Sequence, residues 1–178
     1  KMRAKKKNMK AMLYSNGIGP LERKGNIKKT KKILDKVDLI TLRDERSYKT
    51  LHEIGIENKN VKVTADPALD LDIADEKLGK AILKNEGVPS DKKLLGVSVR
   101  KWQNLGSDFE TQIANACDYA YEKYGYYTVF LPMQSSRDTA IMQNIKRKMK
   151  HESAIIKKRY SVEGMLSIIK CFDMCIGM

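Results

Sequence analysis

The sequence predicts an α/β protein with parallel sheets, and three observations support this class. Short apolar or β-branched runs alternate with amphipathic helical segments along almost all of the 178 residues. Glycines at 55, 87 and 125 follow predicted helices, at the position where helices commonly end. A polar helix and turn over 75–92 separates two such alternating series. We therefore expect two Rossmann-like lobes with parallel sheets, over 1–74 and 93–178, joined by a linker over 75–92.

The first series predicts three strands and two helices. The strands are short and apolar, and the second helix places Tyr48, Leu51 and Ile54 on one face. The βαβαβ order requires parallel pairing, because each helix returns the chain to the same end of the sheet. The predicted strands are 11–14, 39–42 and 61–64, and the predicted helices are 27–36 and 46–54.

The second series repeats the pattern after the linker helix, which is predicted over 75–87. The helix after Ser107 is predicted to bury one stripe, formed by Phe109, Ile113, Ala116, Cys117, Ala120 and Tyr124. The predicted strands are 94–100, 128–131, 153–156 and one at 174, and the other helices are 137–149 and 161–170.

The chain is strongly basic, with a formal net charge of +13. This balance favours anionic partners, which could be phosphorylated substrates, an acidic membrane surface or nucleic acid. The alternative is that the lysines lie on solvent-exposed helix faces and bind no partner. That alternative is favoured because the lysines are spread over many elements and are not interleaved with aromatic residues. We therefore expect no nucleic-acid partner.

Three cysteines, Cys117, Cys171 and Cys175, form neither a disulfide framework nor a zinc spacing. They are predicted to be reduced core thiols, and a reducing, cytoplasmic location is the simpler expectation. No metal site is predicted. The visible sequence contains no apolar run of the roughly 20 residues that a membrane span needs, and no signal peptide.

The two ends of the sequence predict a fragment, truncated at both ends, of a larger enzyme. The chain opens on Lys1 rather than on an initiator methionine, and it stops on Met178, where a predicted strand has just entered its loop. By this expectation the two lobes are the carboxyl-terminal part of the first and the beginning of the second.

Arg43 is the first candidate for a functional residue. It ends a buried strand and precedes a helix, a position from which a guanidinium can bind a carboxylate or phosphate through two nitrogens. The alternative is an ion pair with Asp44, Glu45 or Asp66. Asp44 and Ser47 could equally cap the following helix, and for Ser47 capping is the favoured interpretation.

Two further segments of the first series end strands in the same way. Asp66 precedes a proline, which favours extended backbone, so its side chain could orient an arginine, accept a substrate hydroxyl or stabilise a turn. Asn16, Gly17 and Gly19 belong to a short glycine turn that could offer backbone amides to a ligand or be a simple turn.

The second series contributes Arg100 and Gln134, each near the end of a predicted strand. Arg100 repeats the position of Arg43, and both side chains are expected in a cleft between the sheets. The alternative for Arg100 is a surface salt bridge. His52 and His151 are expected in surface or capping roles, so the chain offers no obvious imidazole acid or base.

An ordered series of motifs resembles the polysaccharide pyruvyl transferase family. The motifs cover most of the chain and are Asn16-Gly-Ile-Gly-Pro-Leu21, Ile40-Thr-Leu-Arg-Asp-Glu-Arg-Ser47, Val63-Thr-Ala-Asp-Pro-Ala68, Gly96-Val-Ser-Val-Arg100, Phe130-Leu-Pro-Met-Gln134 and Ile176-Gly-Met178.

This resemblance implies a glycosyltransferase-B-like architecture and transfer of the pyruvyl unit of phosphoenolpyruvate to a sugar of a cell-wall or extracellular polysaccharide, as a ketal. The donor is a substrate, and no cofactor or metal is implied. The implied partners are phosphoenolpyruvate and a glycan acceptor, which can be lipid-linked and would draw the enzyme to the inner face of the membrane. Arg43 and Asp44 are the implied catalytic residues, and the substrate-binding residues are Asn16, Gly17, Gly19, Ser47, Asp66, Arg100 and Gln134.

The general acid implied by the resemblance is a histidine in an Arg-Leu-His segment that would follow Met178, so the 178-residue chain is expected to be inactive. Two other functions remain open at this point. One is a nucleotide-sugar-dependent glycosyltransferase of the same two-lobed fold. The other is a non-catalytic basic protein that binds nucleic acid or a membrane surface.

Overall fold

The computed structural model describes residues 9–71, 75–101 and 106–177. The chain divides into two compact units, 1–72 and 73–178. Each unit contains one sheet in which every pair of neighbouring strands is parallel. The predicted α/β class with parallel sheets is therefore confirmed.

The first unit contains a three-stranded sheet in the order β1-β2-β3. Its elements are β1 (Met12–Asn16), α1 (Lys24–Leu34), β2 (Leu39–Leu42), α2 (Glu45–Glu53), β3 (Val61–Val63) and a 3₁₀ turn at Pro67–Asp70. The central strand is the most buried, since Ile40 and Leu42 are fully covered. They pack with Leu34, Val37, Leu51 and Ile56 into one core.

The second unit contains a four-stranded sheet in the order β6-β5-β4-β7. It begins with α3 (Glu76–Asn85) and continues through β4 (Lys93–Ser98), α4 (Phe109–Tyr124), β5 (Tyr126–Phe130), α5 (Ser135–Lys148), β6 (Ser153–Ile155), α6 (Val162–Lys170) and β7 (Met174–Gly177). All the predicted helices and strands are present, with ends shifted by a few residues.

Both faces of the second sheet are covered. Successive side chains of a strand point to opposite faces, and Leu94 accordingly joins one core cluster while Leu95 and Val97 join another. A parallel strand buried on both sides reads as a continuous apolar run. This explains why β4 could be recognised from its sequence.

Helix α3, which was expected in the linker, packs against α6 within the second unit. The contact is close because Gly79 has no side chain: a Cβ there would lie 2.1 Å from the carbonyl oxygen of Ser167. The helix is thus an integral part of this unit.

The predicted stripe of α4 is wrong at two positions. Ala116 is exposed and Tyr124 is about half-exposed, whereas Ala114 and Asp118 are buried. The helix packs against α5 as well as against β5. Its buried arc is therefore wider than the predicted stripe and rotated toward residues 114 and 118.

The three cysteines differ in burial. Cys117 is fully buried, and burial raises the pKa of its thiol to about 11. Cys171 is half-buried, and Cys175 is exposed because β7 lies at an edge of the described sheet. The prediction of core thiols is therefore wrong for Cys175. Among the described residues, no helix is both long and apolar enough to cross a bilayer.

Candidate functional site

The carboxyl ends of β1, β2 and β3 bring charged side chains together in the first unit. Because β2 is central, Arg43 at its end lies between the segments that follow the other two strands. Its Nη1 donates to Asp66 Oδ2 at 3.0 Å, and its Nε lies 3.5 Å from Asp44 Oδ2. The side chains are 50%, 40% and 45% exposed for Arg43, Asp66 and Asp44, so water and ligands can reach the group. The ion pairs that were the alternative interpretation of Arg43 are formed.

Gly17 lies directly against the guanidinium of Arg43. A Cβ at position 17 would lie 2.6 Å from Nε and 2.8 Å from Nη2 of Arg43. Non-bonded contacts of Cβ atoms are essentially never so short, so the guanidinium occupies the space that a side chain at position 17 would need. Gly19, by contrast, has no atom within 4 Å of its ideal Cβ position. A close approach of another side chain therefore requires glycine at position 17 but not at position 19.

Ser47 is not the cap of α2, and that prediction is wrong. Asp44 is the N-cap, and its Oδ1 accepts a hydrogen bond of 2.6 Å from the backbone N–H of Ser47. That bond, the Ser47 hydroxyl and the charge of Arg43 lower the pKa of Asp44. Ser47 is instead buried, and its Oγ accepts from the backbone N–H of Ile18 at 2.8 Å. It anchors the glycine turn and occupies one of the amides that we expected to be offered to a ligand.

Asp66 combines two of its predicted roles. Its Oδ1 accepts from the backbone N–H of Ala68 at 3.0 Å and caps the 3₁₀ turn, while its Oδ2 accepts from Arg43. Asn16 is exposed, and its backbone carbonyl accepts a long 3.4 Å bond from the N–H of Arg43.

A hydroxyl network that joins β1, β2 and the residue after β3 was not predicted; Ser15 and Thr41 in it are buried and Thr64 is exposed. The ladder between β1 and β2 is irregular between Leu13 and Asn16, and Ser15 adopts a left-handed φ of 44°. Thr41 Oγ1 replaces the missing ladder acceptor by accepting from Ser15 N–H at 2.7 Å, and Ser15 Oγ lies 3.0 Å from Thr64 Oγ1. A threonine inside an otherwise aliphatic strand is the one signal that could have pointed to it. The irregularity lies at the end of β1, where the chain enters the glycine turn.

In the second unit, Arg100 and Gln134 meet at a third residue, Asp138. Asp138 lies in the first turn of α5 and is 2% exposed. Its Oδ2 accepts from the backbone N–H of Gln134 at 2.7 Å, and its Oδ1 lies 3.4 Å from Arg100 Nε. The second contact is an ion pair without hydrogen-bond geometry, and Oδ1 has no hydrogen-bond partner among the described residues. Arg100 is therefore tethered at the protein surface by a buried carboxylate.

The histidines lie away from both clusters. His52 is exposed on α2, with its ring against Tyr48, and His151 stacks on Tyr121 and lies 3.1 Å from Glu122. In the described parts of the chain, no three His, Cys, Asp or Glu side chains are grouped to hold a metal ion. Ile176 and Gly177 of the last motif belong to β7, and Met178 lies outside the described residues.

Helices that alternate with the strands of two parallel sheets define a chain of the Rossmann-like class, and each sheet has an arginine–carboxylate pair at its strand ends. Within that class the chain belongs to the polysaccharide pyruvyl transferase family, whose model matches residues 2–178. No curated protein matches the sequence. A solved structure of the wall teichoic acid polymerase TagF, soaked with CDPG, is similar at 13% identity and a TM-score of 0.49. The match covers 94% of this chain and 40% of the polymerase chain.

Proposed function

We propose that this chain is part of an enzyme that transfers the pyruvyl unit of phosphoenolpyruvate to a sugar of a cell-wall or extracellular polysaccharide and forms a cyclic ketal. The family match over residues 2–178 is the observation that supports the proposal most strongly. The two-lobed, glycosyltransferase-B-like arrangement is part of the same proposal. No cofactor is needed, because the donor already carries an activated enol phosphate.

The proposed reaction needs one proton, two hydroxyls and one leaving group. Carbon 3 of phosphoenolpyruvate takes the proton, and a first sugar hydroxyl attacks carbon 2 and loses its own proton. The bond between carbon 2 and the phosphate oxygen breaks, and a second hydroxyl closes the ring with loss of its proton. One of the two hydroxyl protons balances the proton added to carbon 3, and the other leaves with inorganic phosphate. The products are one ketal and one phosphate, so the atoms balance without an oxidant or reductant.

The strand-end cluster of the first unit supplies groups of the right kind for this chemistry. Arg43 uses Nη1 on Asp66, and its Nη2 has no hydrogen-bond partner among the described residues. Those donor hydrogens can bind the carboxylate or the phosphate of the donor. Asp44 and Asp66 also place carboxylates beside the guanidinium, where they can accept hydrogen bonds from sugar hydroxyls and favour loss of their protons.

The role of Arg43 can be tested by titrating phosphoenolpyruvate into matched variants. We expect Arg43→Ala to weaken binding by roughly tenfold or more, since a charge-assisted hydrogen bond contributes about 1.5–3 kcal/mol. Arg43→Lys should also weaken it, because lysine cannot form two parallel hydrogen bonds. Arg46→Ala, an exposed arginine of the adjacent helix, is the control. Equal affinities for the Arg43→Ala and Arg46→Ala chains would remove Arg43 from the donor site.

The general acid is a separate part of the proposal. We expect the 178-residue chain to release no phosphate from phosphoenolpyruvate with a glycan acceptor, and a chain extended through an Arg-Leu-His segment to do so. Equal rates of phosphate release from the two chains would contradict the assignment of the acid to that histidine.

The acceptor side of the proposal places the enzyme in the cytoplasm, at the membrane face, with a lipid-linked glycan. The net charge of +13 would attract it to an anionic surface. Sedimentation with vesicles containing anionic lipid should therefore fall as salt is raised, because salt screens exposed charges. Binding that is equal on neutral and anionic vesicles would argue against this location.

A further inference from the structure

A large pocket opens in the second unit at the carboxyl ends of β5 and β6. Its volume is about 590 Å³, and α6 forms one wall. The floor is apolar and contains Ile156, Met165 and Ile169, while Met133 and Val162 stand at its edge. Strand carboxyl ends are where α/β sheets bind ligands, and the volume is that of small-molecule sites. The arginine–carboxylate pair of Arg100 and Asp138 is not part of this lining.

The rim of the pocket is held in place by Glu86, at the end of α3. The Glu86 carboxylate accepts from the backbone N–H groups of Lys157 and Lys158, at 2.9 and 3.2 Å, and from the hydroxyl of Tyr160 at 2.7 Å. Partial burial acts to raise the pKa of Glu86, but these hydrogen bonds and the charge of Lys158 lower it overall. A carboxylate with three donors fixes the segment that follows β6. The pocket is therefore preformed.

The rim is cationic. Lys158 and Arg159 line the opening, and both are exposed. Lys158 interacts electrostatically with Glu86. Arg159, by contrast, forms no ion pair with any residue that the structure describes. An exposed guanidinium without a carboxylate beside an apolar floor is suited to an anionic group on a ligand whose remaining part is apolar.

We propose that this pocket binds a nucleoside diphosphate, with the base on the apolar floor and the diphosphate against Arg159 and Lys158. The two methionines favour a planar ring, because thioether sulfur packs well against aromatic systems. The exposed amide of Gln134, also in the lining, can pair with the polar edge of a base. Phosphoenolpyruvate has almost no apolar surface and would leave the floor uncovered. An isoprenyl diphosphate would cover the floor but would leave the amide without a partner.

The pocket and the Arg43 cluster share no residue, so nucleotide binding can be tested separately from the role of Arg43. Gln134 is the one pocket residue that the family resemblance also implies in substrate binding. Uridine diphosphate and adenosine diphosphate are the probes, titrated by calorimetry into the 178-residue chain. We expect at least one of them to bind, and more tightly than inorganic phosphate or geranyl diphosphate.

Val162→Glu is the decisive variant. Val162 is 65% exposed at the first position of α6, where a glutamate favours the helix, so the chain should fold normally. The new carboxylate at the pocket edge would repel a diphosphate, and we expect at least a tenfold loss of nucleotide affinity. The neutral Val162→Gln chain should bind within about threefold of the parent.

A second pair of variants tests the cationic rim. Arg159→Ala should weaken nucleotide binding about tenfold, as expected for loss of one charge-assisted contact. Arg147→Ala, at an exposed position near the end of α5, should not change it. Absence of nucleotide binding, nucleotide affinity that is unchanged in Val162→Glu, or tighter binding of geranyl diphosphate than of either nucleotide would overturn the proposal. Loss of phosphoenolpyruvate binding in Arg43→Ala alone would leave it intact.

Discussion

Each of the two units has an arginine at the end of a parallel strand, but the carboxylates that pair with the two arginines differ in burial. Arg43 pairs with two half-exposed carboxylates and rests on Gly17. Arg100 pairs with Asp138, whose side chain is 3% exposed and also holds the backbone of Gln134. The first arrangement leaves the carboxylates available to a ligand. In the second, the carboxylate is buried, so a ligand cannot reach it.

This difference separates binding from stability. Exposed ion pairs contribute little to folding, because water screens them and ordering the side chains costs entropy. Removing a buried carboxylate leaves its hydrogen-bond donor, here the N–H of Gln134, without an acceptor, so it has a larger consequence for folding. We therefore expect changes in the first cluster to alter affinity, and changes at Asp138 to alter the free energy of unfolding.

The largest expected effect is that of Asp138→Ala. It removes the acceptor of the Gln134 N–H and the partner of Arg100, and it should lower the free energy of unfolding by about 2–3 kcal/mol. Asp66→Ala, in the exposed cluster, should lower it by less than about 1 kcal/mol. Urea unfolding of both variants measures the contrast.

Asp138→Asn sharpens the same comparison, since an amide oxygen can still accept from Gln134 but carries no charge for Arg100. Its loss of stability should lie between those of the parent and Asp138→Ala. If Asp138→Ala and Asp66→Ala unfold at the same urea concentration, the distinction between the two clusters is wrong.

Gly17→Ala should change binding without changing the fold. The new methyl group must displace the Arg43 guanidinium, which is the far end of a flexible side chain, so the cost in unfolding free energy should stay below about 1 kcal/mol. Affinity for phosphoenolpyruvate should fall several-fold. Gly19→Ala is the matched control, because nothing lies near its Cβ position. An equal loss of affinity in both variants would show that phosphoenolpyruvate binding depends on the glycine turn as a whole and not on the contact between Gly17 and the Arg43 guanidinium.

The smallest expected effect is the pH dependence of the Asp44 cap. The pKa of Asp44 is lowered in the folded chain, chiefly by the Ser47 amide, so its charged form contributes stability above the unfolded pKa of about 4. That contribution is lost as the pH falls through the lower, folded value. The difference in stability between the parent and Asp44→Asn should therefore be constant above about pH 5 and shrink below about pH 4. A difference that does not change over this range would contradict the role of the charge.

Much of the fold could be predicted from sequence because the relevant signals are local. Buried parallel strands are continuous apolar runs, and Gly125 ends α4 with a left-handed φ of 73°, as its position predicted. Asp138 was not predicted, although its side chain bonds the N–H of the helix-capping residue, much as a capping box does. The spacing is one residue longer than in that motif, which hides the signal.

The sequence by itself determined the order of the strands and helices and the presence of an arginine at one strand end in each unit, because periodicity and strand ends are properties of neighbouring residues. Only the tertiary structure decided which carboxylate each arginine meets, that Ser47 holds Ile18 rather than capping α2, and that α3 packs on α6. These contacts join residues far apart in the chain. They depend on strand register and on the rotation of each helix, which the linear pattern does not specify.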